Sequence, residues 1–509
     1  MVNEYAKQPD LYNPERWGLS REFVLELGER LHSIWSRYRS CFLTQTRDSS
    51  ENGFTYLRGL LTMPNKRNYT NIARHVNGID DDGQNLQQFM SDSPWSAESL
   101  FSQIRQEIAQ MPQLHGGMLT LDESGDLRSG GQSAGAAHQY IGRLGKVAMG
   151  QVGVALGYYQ HHNWMMVDAE LFLPEKWFKP EYRGLWQQLH IPADRRFKTK
   201  LEIGLEMVRR ARSEGLPFSV VSCDTLYGRD HQFRADLLAE GLTYCADIPN
   251  NLKVCLKRPL IGIPKKTKGK KGRKFKYWRV LNKAPVKKVH QLVDDENTVF
   301  HTVEIRHNER GMLLYECAAT RVFTITEAGQ VQEEWLLIRK ENDGQYTFSL
   351  SNAANDTSLK QLALWRCQRY FGERVFQDAK SEGGWDELVA RKYRAWMHHT
   401  ALDALALWFM AQTKLEWEQK YPRDSTLAEE LKINVLPTLS MANIREMLMA
   451  VMPLEQLSVD DSIQLVTKHL VNRSKATSSR LKKQIKNRGK PVIVTTQVFK
   501  VLIYFRIFY

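Results

Sequence analysis

Several signals are missing from this sequence, and each absence removes a class of protein. The six cysteines (Cys41, Cys223, Cys245, Cys255, Cys317, Cys367) include no C-x-x-C pair. That argues against a zinc ribbon and a disulfide framework and fits a reducing cytosol. Met1-Val2-Asn3-Glu4-Tyr5 offers no apolar core for a signal peptide, so a cytoplasmic location is expected. No stretch is apolar enough to span a bilayer; the nearest, 492–509, is broken by Thr495, Thr496, Gln497, Lys500 and Arg506. Gly142-Arg143-Leu144-Gly145-Lys146-Val147 lacks the Ser/Thr and spacing of a P-loop, so ATP use is not expected. Acidic residues are absent from Lys253 to Lys288, which holds 15 Lys/Arg in a chain of net charge +14. The basic character therefore belongs largely to one segment. Such a segment favours a polyanion such as nucleic acid; a solvated lysine-rich loop is the alternative.

What is present reads as a multidomain globular chain. At 509 residues, 42% apolar and 25% charged, it should divide into roughly three or four domains. Residues 20 to 110 carry helical spacing: Phe23, Leu25, Leu27, Leu31 and Ile34 form one stripe, Tyr56, Leu57, Leu60 and Leu61 another. Pro94-Trp95 followed by Ser96-x-x-Ser99 starts a further helix. A helical domain over 1–112 is a reasonable DNA-binding module, with a plain helical scaffold as the alternative. From about residue 115 the period changes. Strands are expected at 117–122, 147–158 and 164–173, a helix at 198–214, a strand at 218–224, a helix at 233–240 and a strand at 243–248.

That β-β-β-α-β-α-β order is the ribonuclease H-like arrangement: an α/β core with a mixed five-stranded sheet covered by helices. Its first and fourth strands lie side by side. The core is expected over 113–250 and again over 351–415. Between them, 251–350 reads as a β-rich insertion with a basic stretch. Its strand-forming runs are 299–305, 312–316, 320–325, 335–338 and 346–350, with turns at Glu309-Arg310-Gly311 and Asn342-Asp343-Gly344. The remainder, 416–509, is expected to be helical, ending in a solvated, flexible basic run from Arg480.

Three acidic residues carry the chemistry. Asp122 and Asp224 each end an apolar strand-like run, and Glu373 lies in a stretch of helical spacing. Buried charge is costly unless something uses it. Two strand-end aspartates and a helical glutamate suit a pair of divalent metals acting on phosphodiesters. Steps of four and seven put Arg369, Glu373 and Lys380 on one helical face; ion pairs on a solvated helix are the alternative. Asp126 is read as a solvated loop residue. His161-His162 and His398-His399 are read as turn and packing residues, not metal ligands.

Arg369-x3-Glu373-x6-Lys380 resembles most of the Tyr-x2-Arg-x3-Glu-x6-Lys signature of DDE transposases from bacterial insertion sequences, in the branch with a β insertion domain. The Tyr position falls on Arg366, so that element is missing. Leu121-Asp122-Glu123-Ser124-Gly125, Gly150-Gln151-Val152-Gly153-Val154, Cys223-Asp224-Thr225-Leu226-Tyr227-Gly228, Tyr56-Leu57-Arg58-Gly59-Leu60-Leu61 and Ser93-Pro94-Trp95 are similar in the same order. The likeness runs from about residue 40 to 415.

The resemblance implies that Asp122, Asp224 and Glu373 are catalytic and hold two Mg²⁺ ions, with Mn²⁺ substituting. It implies that Arg369 and Lys380 hold phosphates, and that the protein cleaves the ends of an element and joins the 3′-OH ends to target DNA. The expected partner is double-stranded DNA, with a homodimer bringing two ends together near the nucleoid. Lys265, Lys266, Lys268, Lys270, Lys271, Arg273 and Lys274 are further expected DNA contacts. Trp335 is a candidate for stacking a flipped base in a hairpin step, or else a core tryptophan. Arg366 and the unusual tail leave a second possibility, a catalytically inactive DNA-binding relic such as a self-repressor.

Overall fold

A computed structural model describes residues 9–264, 276, 278–282, 284–308, 311–326, 329–388, 390–453 and 458–488. The chain divides into two compact units, Met1–Leu454 and Glu455–Tyr509. In the second, a helix spans Val459–Arg488. The basic run from Arg480 is helical as far as Arg488, and residues 480–483 are exposed to solvent as expected. No helix among the described residues is long and apolar enough to cross a membrane.

The first unit is built on one mixed sheet. Its centre comprises β1 (Gly117–Leu127), β3 (Lys146–Gln160), β4 (Asn163–Leu171), β5 (Phe218–Cys223) and β6 (Thr243–Ile248). β4, β3 and β1 form an antiparallel meander. β5 lies parallel to β1, and β6 parallel to β5. This is the ribonuclease H-like order, with the first and fourth strands of that meander-and-crossover plan adjacent. β2 (Ala137–Ile141), not expected from the sequence, pairs antiparallel with β3.

The inserted strands continue the same sheet. β11 (His301–Asn308), β12 (Gly311–Ile325), β13 (Val331–Lys340) and β14 (Tyr346–Ser351) form antiparallel hairpins, and β14 pairs antiparallel with β6. The sheet reaches 12 described strands, with β7 (Lys253–Cys255) pairing with β12 and β10 (Val286–Lys288) with β7, while β8 (Ile261–Gly262) and β9 (Arg279–Val280) form a separate pair. The runs expected separately at 312–316 and 320–325 are one strand, because Ala318 and Ala319 keep the pairing with β13 unbroken. The Asn342-Asp343-Gly344 turn forms with Gly344 at φ 83°, a left-handed value suited to glycine. Residues 309 and 310 of the other expected turn lie outside the described residues.

Helices cover the sheet. Three matter for the site: α1 (Ala97–Ala109), α2 (Lys200–Ser213) and α3 (Leu359–Asp378). Ser96 caps the first as expected, its hydroxyl accepting from Ser99 N. Thr199 and Glu202 form a capping box on the second, satisfying donors that would otherwise be orphaned. The fourth, α4 (Tyr393–Lys420), is buried nearly all round, as expected for a helix that is apolar on every face. It packs on β4 and on helices from the N-terminal 112 residues. One apolar cluster runs from Phe23 through the sheet to Leu448.

One local expectation changed. The Phe23–Ile34 stripe is broken at Glu26 into two helices, and Leu25 is 59% exposed. On β4, Asp168 and Glu170 are buried like their apolar neighbours, because α1 and α2 cover that face too. Asp168 pairs with Arg105 and Arg210, and Glu170 with Arg195.

Candidate active site

β1 and β5 run parallel up to the rung Leu121–Cys223. Asp122 and Asp224 follow immediately, so both carboxylates emerge from one edge of the parallel pair. Only β5 ends there. β1 continues to Leu127 against β3, with Asp122 opposite Ala155, so Asp122 lies within a strand and not at its end. Asp126, expected in a solvated loop, is a half-buried residue of the same strand. Asp224 begins a short helical turn, Thr225–Gly228. Its Oδ1 accepts from Leu226 N at 2.9 Å and Tyr227 N at 3.5 Å.

Helix α3 lies across β1. A Cβ on Gly372 would collide with the Thr120 side chain, so glycine permits this close approach. Glu373 follows at once and is carried to the sheet edge, its side chain 59% exposed. One turn earlier, Arg369 joins the acids. Its guanidinium lies 3.7 Å from Asp122 and 3.7 Å from Glu373. Its shortest contact, 3.0 Å from Nη1, is to Asp247 Oδ2.

Asp247, on β6, was not singled out from the sequence. Its signal was available: like Asp224, it is an acid near the end of a buried parallel strand. Ser349 Oγ donates to its Oδ1 at 2.8 Å, and Arg366 Nε lies 2.7 Å from that oxygen. The residue in the signature's tyrosine position is therefore paired with Asp247.

Burial governs the electrostatics. It pushes the Asp122 carboxyl up to about 6, against the pull of Arg369 and with help from Asp224. Asp224 is also raised by burial, opposed by Arg369 and its two backbone donors. Burial works against the Arg369 charge, but Asp247, Asp122, Glu373 and Asp224 outweigh it and hold the guanidinium above its ordinary value. Across the strand, burial raises Glu123 despite its 2.6 Å pair with Lys200.

Lys380 does not continue the regular helix that a seven-residue step from Glu373 assumes. It lies in a wider π-turn, Ala379–Gly383, that follows α3. Its charge acts on Asp126, partly offsetting the burial that raises that carboxyl. Trp335, on β13, is half-buried with Nε1 donating to Ala354 O at 3.0 Å and Arg321 over its ring. Lys265, Lys266, Lys268, Lys270, Lys271, Arg273 and Lys274 lie outside the described residues. His398 and His399 are buried in packing, as expected.

A cleft of about 630 Å³ opens beside Glu373. Trp164, Phe371 and Tyr315 give it ring faces, and Arg306, Arg366 and Lys414 give it charge. Arg306 lies 4.2 Å over the Phe371 ring. Among the described residues, no three His, Cys, Asp or Glu side chains are gathered as a ready metal cage. The donors around the Leu121–Cys223 rung are nevertheless all hard carboxylate oxygens, the chemistry that suits Mg²⁺, and the burial of Asp122 and Asp224 calls for a cation.

Comparison with known proteins adds an independent observation. The sequence model of a family described as DDE superfamily endonuclease matches residues 37–312. That span includes Asp122, Asp224 and Asp247 and ends before Glu373. A probable transposase for insertion sequence element IS701 from Microchaete diplosiphon is 30% identical over 200 residues, 39% of this chain and 49% of that protein. The chain thus matches about half the length of that curated relative.

Proposed function

We propose a transposase function on one premise: this chain belongs to the DDE superfamily endonucleases. The protein binds the ends of an insertion sequence, cleaves them, and joins the 3′-OH ends to target DNA. The observation that carries this reading is the Leu121–Cys223 rung, which sets Asp122 and Asp224 side by side beneath the helix of Glu373.

Asp122 and Asp224 would hold two Mg²⁺ ions from the sheet, and Glu373 would close the site from the helix. Bound there, the ions would supply an activated water or DNA 3′-OH and stabilise the leaving oxygen. Arg369 holds the cut strand's phosphate from the protein side, while Lys380 supports β1 through Asp126. The cleft beside Glu373 receives the DNA end, its rings and cations matching bases and backbone. Trp335 stays a candidate for base stacking in a hairpin step. The basic segment 265–274 adds sequence-independent grip. Two copies act together, one on each end.

The test is cleavage of DNA carrying the element's own ends, with Mg²⁺ and with Ca²⁺, beside Asp224→Ala. Mg²⁺-dependent 3′-OH ends, lost in the variant, support the reading. End-specific binding without cleavage by either protein would identify an inactive DNA-binding relic instead.

A further inference from the structure

Arg369 is held in an unusual way. Its side chain is 14% exposed and stands among carboxylates, yet its one hydrogen bond to an acid is to Asp247, outside the trio read as metal ligands. The contacts to Asp122 and Glu373 are looser, both 3.7 Å. Its Nε is buried without a hydrogen-bond partner among the described residues. Asp247 is the fixed point. It sits on β6, which is paired on both sides, to β5 and β14. Ser349, its register partner on β14, donates to it, and Arg366 lies against the same oxygen.

We propose that Asp247 is a positioning residue that keeps Arg369 as the resident counter-ion of Asp122, Asp224 and Glu373, and that divalent cations enter by exchange with this guanidinium. The inference rests on the ligand assignment proposed above. Four carboxylates (Asp122, Asp224, Asp247, Glu373) face two guanidiniums (Arg366, Arg369), so the cluster has unmatched negative charge even with both arginines in place. A dication beside Asp122 repels a guanidinium 3.7 Å from the same carboxylate. The loose contacts give way first, because neither is a hydrogen bond. The bond to Asp247 is retained, and the freed face of the planar fork is then available for a phosphate, which guanidinium matches in two-point fashion. Asp247 thus links loading of cations to presentation of the phosphate-binding arginine.

The experiment is calorimetric titration of Mn²⁺ alone into the full chain at neutral pH, without DNA, with each variant's unfolding midpoint measured alongside. Arg369→Gln should bind Mn²⁺ at least about fivefold tighter, since a competing charge is gone. Asp247→Asn should bind several-fold more weakly, because the unanchored guanidinium falls back on Asp122 and Glu373. In the Arg369→Gln background the Asp247→Asn effect should shrink below about twofold, the signature of a residue acting through another. The double variant removes both charges of the Arg369–Asp247 pair together and leaves Arg366 as the guanidinium without its Asp247 partner; it should bind at least about fivefold tighter than Asp247→Asn alone. Unchanged affinity in Arg369→Gln, or an equal Asp247→Asn effect in both backgrounds, overturns the exchange. Asp224→Asn separates the two questions: lost Mn²⁺ binding upholds the ligand assignment, whereas retained binding overturns that assignment itself.

Discussion

His399 illustrates how one buried side chain can tie distant segments together and set an acid limit. It is 1% exposed on α4. The Tyr56 hydroxyl sits 2.9 Å from its Nδ1, and its Nε2 faces the carbonyls of Gly384 and Trp385 at 3.1 and 3.2 Å. A neutral ring satisfies all of these, accepting from Tyr56 and donating through Nε2. Burial lowers its pKa from 6.5 to about 4, against the two carbonyls and with Arg67 and Arg128 adding repulsion. Between those values the unfolded chain binds more protons than the folded one, so stability falls as pH drops through this window. At about pH 5 the loss is about 2 kcal/mol. Urea midpoints at neutral pH and at about pH 5 should show His399→Gln losing about 2 kcal/mol less than wild type; an equal acid loss in both would refute the assignment. The same scale separates what could be read from the sequence. Asp122 and Asp224 stood out because each interrupts apolar residues. Asp247 does so as well, but its partners are Arg369, Arg366 and Ser349, all more than a hundred positions away, and no local pattern announces them.

At the level of elements, the site depends on how closely α3 lies on β1. Gly372 faces Thr120 with no room for a methyl group. Gly372→Ala should therefore destabilise the protein by about 1–3 kcal/mol and reduce end cleavage at least about tenfold by lifting Glu373 off the sheet edge. Thr120→Ala in the same chain should restore much of both losses. A cleavage rate in Gly372→Ala equal to wild type would mean that the helix height is unimportant. The strand and helix order of the core was legible because periods of two and of about 3.6 alternate clearly. Element ends were less so. β1 outruns its apolar run because β3 continues to pair with it through Asp126 and Leu127, and pairing is a property of two strands. The π-turn after α3 was also hidden: a seven-residue spacing assumes a regular helix, and Ala379–Gly383 is wider.

For the molecule as a whole, the insertion is a continuation of the core sheet, not an appendage on a stalk. Beyond the β14–β6 pairing, Arg234 on a core helix and Glu334 on β13 form a fully buried pair at 2.8 Å, joined by Tyr244 and Thr324. Sequence alone set the insertion apart because its strands follow a lysine-rich segment, and it could not reveal an edge shared across a hundred residues. That lysine-rich segment carries the remaining prediction. Replacing Lys265, Lys266, Lys268, Lys270, Lys271, Arg273 and Lys274 with Gln should flatten the salt dependence of DNA binding by roughly 0.9 in log–log slope per lost phosphate contact. Fluorescence anisotropy across a salt series measures it, and an unchanged slope would assign the grip elsewhere.

The path of the chain also imposes an order in time. The acids of β1 and β5 precede Glu373 by about 150 residues or more, so at about 5–20 residues per second of synthesis a nascent chain carries Asp122 and Asp224 for many seconds before the third acid exists. Throughout that interval the whole inserted sheet is being made. On the proposed assignment, a half-made copy that already carries Asp122 and Asp224 still lacks the acid that completes the site.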